Sequence, residues 1–180
     1  MEKVTFEDIK KLAIDARGSV DKIYLHWTAG RYGQFFDDYH LNIDADGSVY
    51  SSMEGTDDDG NEGFAQKKAH TWHRNTGAIG IGLACCLGAH STDNLGDLPP
   101  TPAQLESMYE VTGIICKYAG IPCDSDHVMT HAEAAELDNY GPSTTCERWD
   151  GWVWIAGDPA GNGGDLARGK AAYYIENTNV

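Results

Sequence analysis

The sequence predicts an α/β fold in a single domain, and three stretches carry that expectation. Ile23-Tyr24-Leu25-His26-Trp27 has strand-type character and runs into a small, polar turn ending at Gly30. Ala78 to Leu87 is apolar on both faces, as a central strand covered on both sides has to be. Thr101-Pro102-Ala103-Gln104 is a strong helix start, with Thr at the cap, Pro in the first turn and Gln three residues after the cap. A chain of 180 residues has the length of one domain, and 41% hydrophobic residues suffice for a core.

The elements follow in order. Phe6, Ile9, Leu12, Ala13 and Ala16 recur at helical spacing, and Thr5 with Asp8 resembles a capping box, so residues 4–17 read as an N-terminal helix. Lys22 to Trp27 is the opening strand. Tyr39 to Ile43 alternates like a half-buried strand, Ala45-Asp46-Gly47 makes a hairpin turn, and Ser48 to Ser52 returns. Glu54 to Gly63 is an acidic surface loop. The glycines at 80 and 82 in the apolar stretch suggest that another backbone or a ligand comes close. The helix opened by Thr101 buries Leu105, Met108, Tyr109, Thr112, Ile115, Cys116 and Ala119, and Gly120 with Pro122 stops it. Asp126 to Thr130 is a short strand; Thr130 caps a helix starting at His131, with Glu133 where a negative charge suits the macrodipole. We expect a catalytic domain over residues 1–156 and a tail over 157–180 carrying a short helix, Leu166 to Tyr174.

Charge narrows the partners. With 28 acids against 13 bases the net charge is −15, which argues against nucleic acid and anionic lipid, since both need clustered Lys and Arg. No apolar run approaches the ~20 residues of a membrane span. The N-terminus lacks the basic, apolar and small-residue succession of a secretory signal. Five cysteines without a CxxC pair read as free thiols of a reducing compartment.

His26 ends one strand, His131 follows another, and an acid lies near the C-terminus. Alone, His26 reads more readily as a hydrogen-bonded core histidine than as a functional one. Together the three look like a catalytic zinc site, which takes three protein ligands and leaves a fourth position for water at a pKa of roughly 7. Seven histidines allow many combinations, so spacing alone does not choose.

The order of motifs does more. Leu25-His26-Trp27-Thr28-Ala29-Gly30, Tyr39-His40 before the Asp46-Gly47 hairpin, His70, Ala78-Ile79-Gly80-Ile81, Thr101-Pro102-x-Gln104, Thr130-His131-x-Glu133 and Arg148-x-Asp150 occur in one succession. That succession resembles the zinc-dependent N-acetylmuramoyl-L-alanine amidases, the family that includes the peptidoglycan recognition proteins, and its nearest feel is to phage or prophage endolysins. The resemblance spans residues 20 to 155. It implies a mixed central β-sheet flanked by α-helices, with zinc at one edge. It further implies hydrolysis of the amide between N-acetylmuramic acid and L-alanine of the stem peptide. By that resemblance His26, His131 and Asp150 hold one zinc ion, Tyr39 stands beside the water, Arg148 falls where many members place a catalytic lysine, and His70 lines the substrate groove. Thr28, Trp72 and Asn75 join His70 as candidate substrate contacts. Arg148 can stabilise an oxyanion but cannot exchange a proton near neutral pH.

Three departures stand out. Some members carry a glutamate base where this chain has Gly82, which leaves zinc-activated water, Tyr39 or Glu133 to move the proton. Arg148 replaces lysine. The spacing from His131 to Asp150 is long, which brings in Cys146 as a rival third ligand. Rival functions are a recognition module that binds muropeptide without cutting, a metal-dependent stem-peptide endopeptidase, and a secreted antibacterial effector with the same chemistry. The expected setting is a monomer made without a signal peptide that reaches the cell wall by holin release or dedicated secretion. His40 reads as structural, His73, His90 and His127 as surface or outer-layer residues, and Asp57-Asp58-Asp59 as a solvated loop.

Overall fold

Three helix starts are built from the same local device. The Asp8, Gln104 and Glu133 N–H groups donate to the hydroxyls of Thr5, Thr101 and Thr130, and each of those side chains accepts the cap N–H in return. The reciprocal pairs satisfy donors that a helix start otherwise leaves orphaned. They open α1 (Phe6–Asp15), α2 (Pro102–Ile115) and α3 (His131–Leu137) in the computed structural model, which describes residues 1–180. A fourth helix, α4, covers Gly163–Asn177.

The strands are β1 (Glu2–Val4), β2 (Lys22–Trp27), β3 (Leu41–Ile43), β4 (Val49–Ser51), β5 (Ala78–Leu83) and β6 (Val128–Thr130). They form one mixed sheet in the order β1-β4-β3-β5-β2-β6. β3, β5, β2 and β6 run parallel, and the β3–β4 hairpin and β1 add antiparallel pairs at one side. The α/β reading and the mixed sheet therefore hold. α1 and α4 both pack against α2, which lies over β3 and β5. No helix is long and apolar enough to cross a membrane.

Some boundaries differ from the sequence expectation. Val4 ends an edge strand on β4, residues 2–4, rather than opening the helix, which starts at Phe6; the strand was not expected because its partners Val49 to Ser51 are far along the chain. β3 begins at Leu41, is buried throughout and lies inside the sheet, so it is not half-buried. α2 gives way at Cys116 to a π-helical turn that ends at Gly120. All five cysteines are unpaired.

The two-residue period of the strands decides what reaches the site. Ile23, Leu25 and Trp27 of β2 and Ile79, Ile81 and Leu83 of β5 enter the main core. Tyr24 and His26, and Ala78, Gly80 and Gly82, therefore share the opposite face. In register His26 stands beside Gly82, and β6 pairs so that Leu25 meets Thr130. His131, the next residue, thus falls beside His26.

α4 ties this junction down. Arg168 donates to the Val128 carbonyl at 2.8 Å and reaches both carboxylate oxygens of Glu133, at 3.0 and 2.8 Å. The start of α4 sits on the loop after Asp150: a Cβ at Gly163 would lie 1.9 Å from the Gly151 carbonyl oxygen, so only glycine fits.

Candidate metal centre

Three ligand-type atoms converge where β2, β6 and the loop before α4 meet. His26 Nδ1 lies 3.1 Å from His131 Nδ1 and 3.0 Å from Asp150 Oδ2, and His131 Nδ1 lies 3.2 Å from the same oxygen. All three residues are buried. Asp150 is brought there from the loop by its own backbone, whose carbonyl accepts the Ala132 N–H at 3.1 Å.

The donor set fits zinc. Bonds of ~2.0–2.1 Å at tetrahedral angles place ligand atoms about 3.3 Å apart, close to the separations here. Two imidazole nitrogens and a carboxylate are common zinc ligands. Hydrogen bonds alone match the three atoms poorly, since one Nδ1–H serves a single partner well, whereas a cation takes a lone pair from each of the three. Cys146, the rival, is exposed and turns its thiol to the Pro142 carbonyl at 3.0 Å, outside the cluster.

Charge at the cluster follows from its contacts. Burial pushes the His26 imidazole down to about 4, against the Asp150 carboxylate, which pulls it up. Burial also pushes the Asp150 carboxyl up, but the two imidazoles outweigh it and hold it well below the usual carboxylate range. Asp150 is thus an anion and His26 a neutral imidazole at neutral pH, the protonation states that metal binding requires.

His131 and Asp150 of the cluster open onto a cleft of about 400 Å³, which Thr28, Asp38, Tyr39, His70, Glu147 and Arg148 also line, while His26 is fully buried behind them. The Tyr39 ring centroid lies 5.0 Å from that of His26. Burial and the nearby Asp150 and Asp38 charges raise the Tyr39 phenol above its ordinary value, so it donates and does not act as a base. Glu133 is removed from the proton question too, because Thr130 N–H and Arg168 occupy its carboxylate.

A family model described as N-acetylmuramoyl-L-alanine amidase matches residues 16–149, most of the chain. The chain belongs to the N-acetylmuramoyl-L-alanine amidase family. No curated protein matches the sequence. Solved structures similar to the chain include the endolysine N-acetylmuramoyl-L-alanine amidase LysCS from Clostridium intestinale URNW, at 16% identity and TM-score 0.43, covering 63% of this chain and 69% of that one. The N-acetylmuramoyl-L-alanine amidase LysC from the same organism is 16% identical with TM-score 0.45, covering 70% and 79%. This chain is thus a peptidoglycan amidase by family, and Asp150, one residue beyond the matched segment, is placed by geometry.

Two glycines of the amidase admit aromatic rings rather than a backbone or ligand. A Cβ at Gly80 would lie 2.5 Å from His70 Cγ, and one at Gly82 would lie 2.7 Å from Tyr39 Cδ2. Tyr39 thus fills the space above Gly82 where some members of the family carry glutamate.

The remaining candidates divide. Thr28 Oγ accepts the Gly30 N–H at 3.2 Å while lining the cleft. Trp72 is 62% exposed and, with Tyr140, Glu147 and Arg148, lines an adjoining hollow. Asn75 does not line the cleft; its side-chain carbonyl accepts the Thr71 N–H at 2.8 Å and shapes the loop. Asp38 and Glu147 were not anticipated in the cleft, although an acid next to Arg148 is a signal that the sequence contains. His40 is a satisfied core histidine: Nδ1 accepts the Gly80 N–H at 3.0 Å and Nε2 donates to the Gln66 carbonyl at 2.8 Å.

His40 gives the amidase a pH-dependent stability. Burial pushes its imidazole down to about 4 from 6.5. The unfolded chain therefore takes up the proton first, so this contribution is complete above pH 6.5 and is lost as pH falls toward 4. Each such proton gives a slope of about 1.4 kcal/mol per pH unit inside that window. Urea unfolding of metal-free protein at several pH values should show stability falling in this range, and His40→Gln should be less stable at pH 7.5 but lose about one proton's worth of slope.

Proposed function

We propose that this amidase hydrolyses the bond between the lactyl group of N-acetylmuramic acid and L-alanine of the stem peptide, with one zinc ion held by His26, His131 and Asp150. The convergence of two imidazole nitrogens and one carboxylate oxygen within 3.0–3.2 Å at the base of the cleft, where His131 and Asp150 line it, carries this reading. When bound, zinc lowers the pKa of a coordinated water to roughly 7 and polarises the amide carbonyl.

The protein's own groups do the rest. Tyr39 is held protonated at the cleft wall and donates a hydrogen bond to the reacting carbonyl or its oxyanion. Arg148 lines the same cleft with one guanidinium nitrogen donating to the Glu147 carbonyl, which leaves the others for the developing negative charge. Proton acceptance falls to the carboxylates that line the cleft and are not committed to the metal, Asp38 and Glu147. Thr28 in the cleft and the exposed ring of Trp72 in the adjoining hollow contact the muropeptide. The protein acts as an endolysin, a monomer that reaches the wall after release from the cell that makes it.

Chelation tests the metal directly. Dialysis against a chelator should remove about one zinc per chain and abolish release of stem peptide, and one equivalent of zinc should restore it. Full activity in the metal-free protein would refute the proposal.

A further inference from the structure

Thr71 is buried at 1% exposure, and its hydroxyl stands between two histidines. Its Oγ lies 3.3 Å from His26 Nε2 and 3.0 Å from His70 Nδ1, and His70 Nε2 lies 3.4 Å from the Ala78 carbonyl oxygen. We propose that Thr71 and His70 form a one-way hydrogen-bond relay that holds His26 in the tautomer whose Nδ1 lone pair faces Asp150 and His131. Both are positioning residues, and the inference rests on the zinc reading above.

Direction follows from the far end. A carbonyl only accepts, so His70 Nε2 carries the proton and His70 Nδ1 presents a lone pair. The single Thr71 hydroxyl proton goes to that lone pair. Thr71 Oγ then accepts, and His26 Nε2 has to donate. A neutral imidazole with its proton on Nε2 has Nδ1 free for a metal, and an outer hydrogen bond of this kind orients a metal-binding histidine and raises its basicity.

The surroundings hold the relay still. Asn75 fixes the Thr71 backbone, and Gly80 leaves the space that the His70 ring fills. His131 has no equivalent: its Nε2 is buried without a protein partner. The orienting hydrogen bond is thus given to one of the two histidines, and His70 takes on this positioning task in addition to lining the cleft.

Zinc affinity of the metal-free protein, measured by competition with a chromophoric chelator, tests this without reference to catalysis. Thr71→Val keeps the shape and removes the hydroxyl, and should weaken zinc binding by about 10- to 100-fold. Thr71→Ser keeps the hydroxyl and should stay within about threefold of wild type, well short of the loss an outer partner causes. His70→Phe should weaken binding alone but add less than about twofold on top of Thr71→Val, since members of one network are not additive. Circular dichroism and thermal unfolding establish that each variant is folded, and Thr71→Ala replaces Thr71→Val should the latter not fold. Wild-type affinity in folded Thr71→Val or Thr71→Ala, or full additivity with His70→Phe, overturns the relay. Failure of the wild type itself to bind zinc overturns the metal reading, and the relay with it.

Discussion

Asp150→Ala abolishes zinc binding and amidase activity together, and Cys146→Ala leaves both intact. The two residues are four positions apart in one loop, but only Asp150 carries an oxygen to 3.0 Å from His26 and 3.2 Å from His131. Its carboxylate is also the anion that balances a cation in a buried setting. Removing it leaves two neutral nitrogens, which hold zinc weakly. The expected loss of zinc affinity exceeds about 100-fold, the upper range for loss of an outer partner alone. His131→Ala should behave the same way. Metal analysis of purified protein beside hydrolysis of isolated peptidoglycan reads both effects. Stoichiometric zinc in Asp150→Ala would show that the third ligand has been misassigned.

Gly82→Glu, which places the glutamate of some family members at the matching position, inactivates this enzyme. Tyr39 already lies over Gly82, with Cδ2, Cγ and Cε2 at 2.7, 2.9 and 3.0 Å from the position of a Cβ. The first carbon of any side chain pushes the ring off the strand, so Gly82→Ala already shows part of the effect. Overpacking of this kind costs about 1–3 kcal/mol in stability. Displacing a group that contacts the reacting carbonyl by ~1 Å lowers turnover by about 100-fold. Zinc content should stay near stoichiometric, because the ligand atoms come from β2, α3 and the loop at Asp150 rather than from β5. Activity of Gly82→Glu at or above wild type would mean that Tyr39 yields without penalty and that the cleft has room for a carboxylate base.

These expectations show where the sequence was legible. Helix starts were, because Thr5 with Asp8, Thr101 with Gln104 and Thr130 with Glu133 lie within one turn and close their own hydrogen bonds. The strand that carries His26 was legible from its residue types, and the order of motifs pointed to the fold. What depended on distant partners was not. The strand at residues 2–4 exists only through β4. Glu133 beside a histidine looks like a base until Arg168 arrives from α4, 35 residues on. The choice between Cys146 and Asp150 depends on how an irregular loop turns, and left-handed backbone at Cys146 and Gly151 sets that turn. The glycines at 80 and 82 signalled a close approach, but which groups approach, two aromatic rings, is a matter of tertiary packing.

The bond that is cut remains the most direct test. Purified sacculi digested by the wild-type protein, with and without chelator, and examined by mass spectrometry should yield stem peptides with a free L-alanine amine and glycan strands with free muramic lactyl carboxyls, both lost on chelation. Intact muramic acid–L-alanine junctions, with new ends inside the stem peptide or the glycan, would contradict the assignment of this cleft.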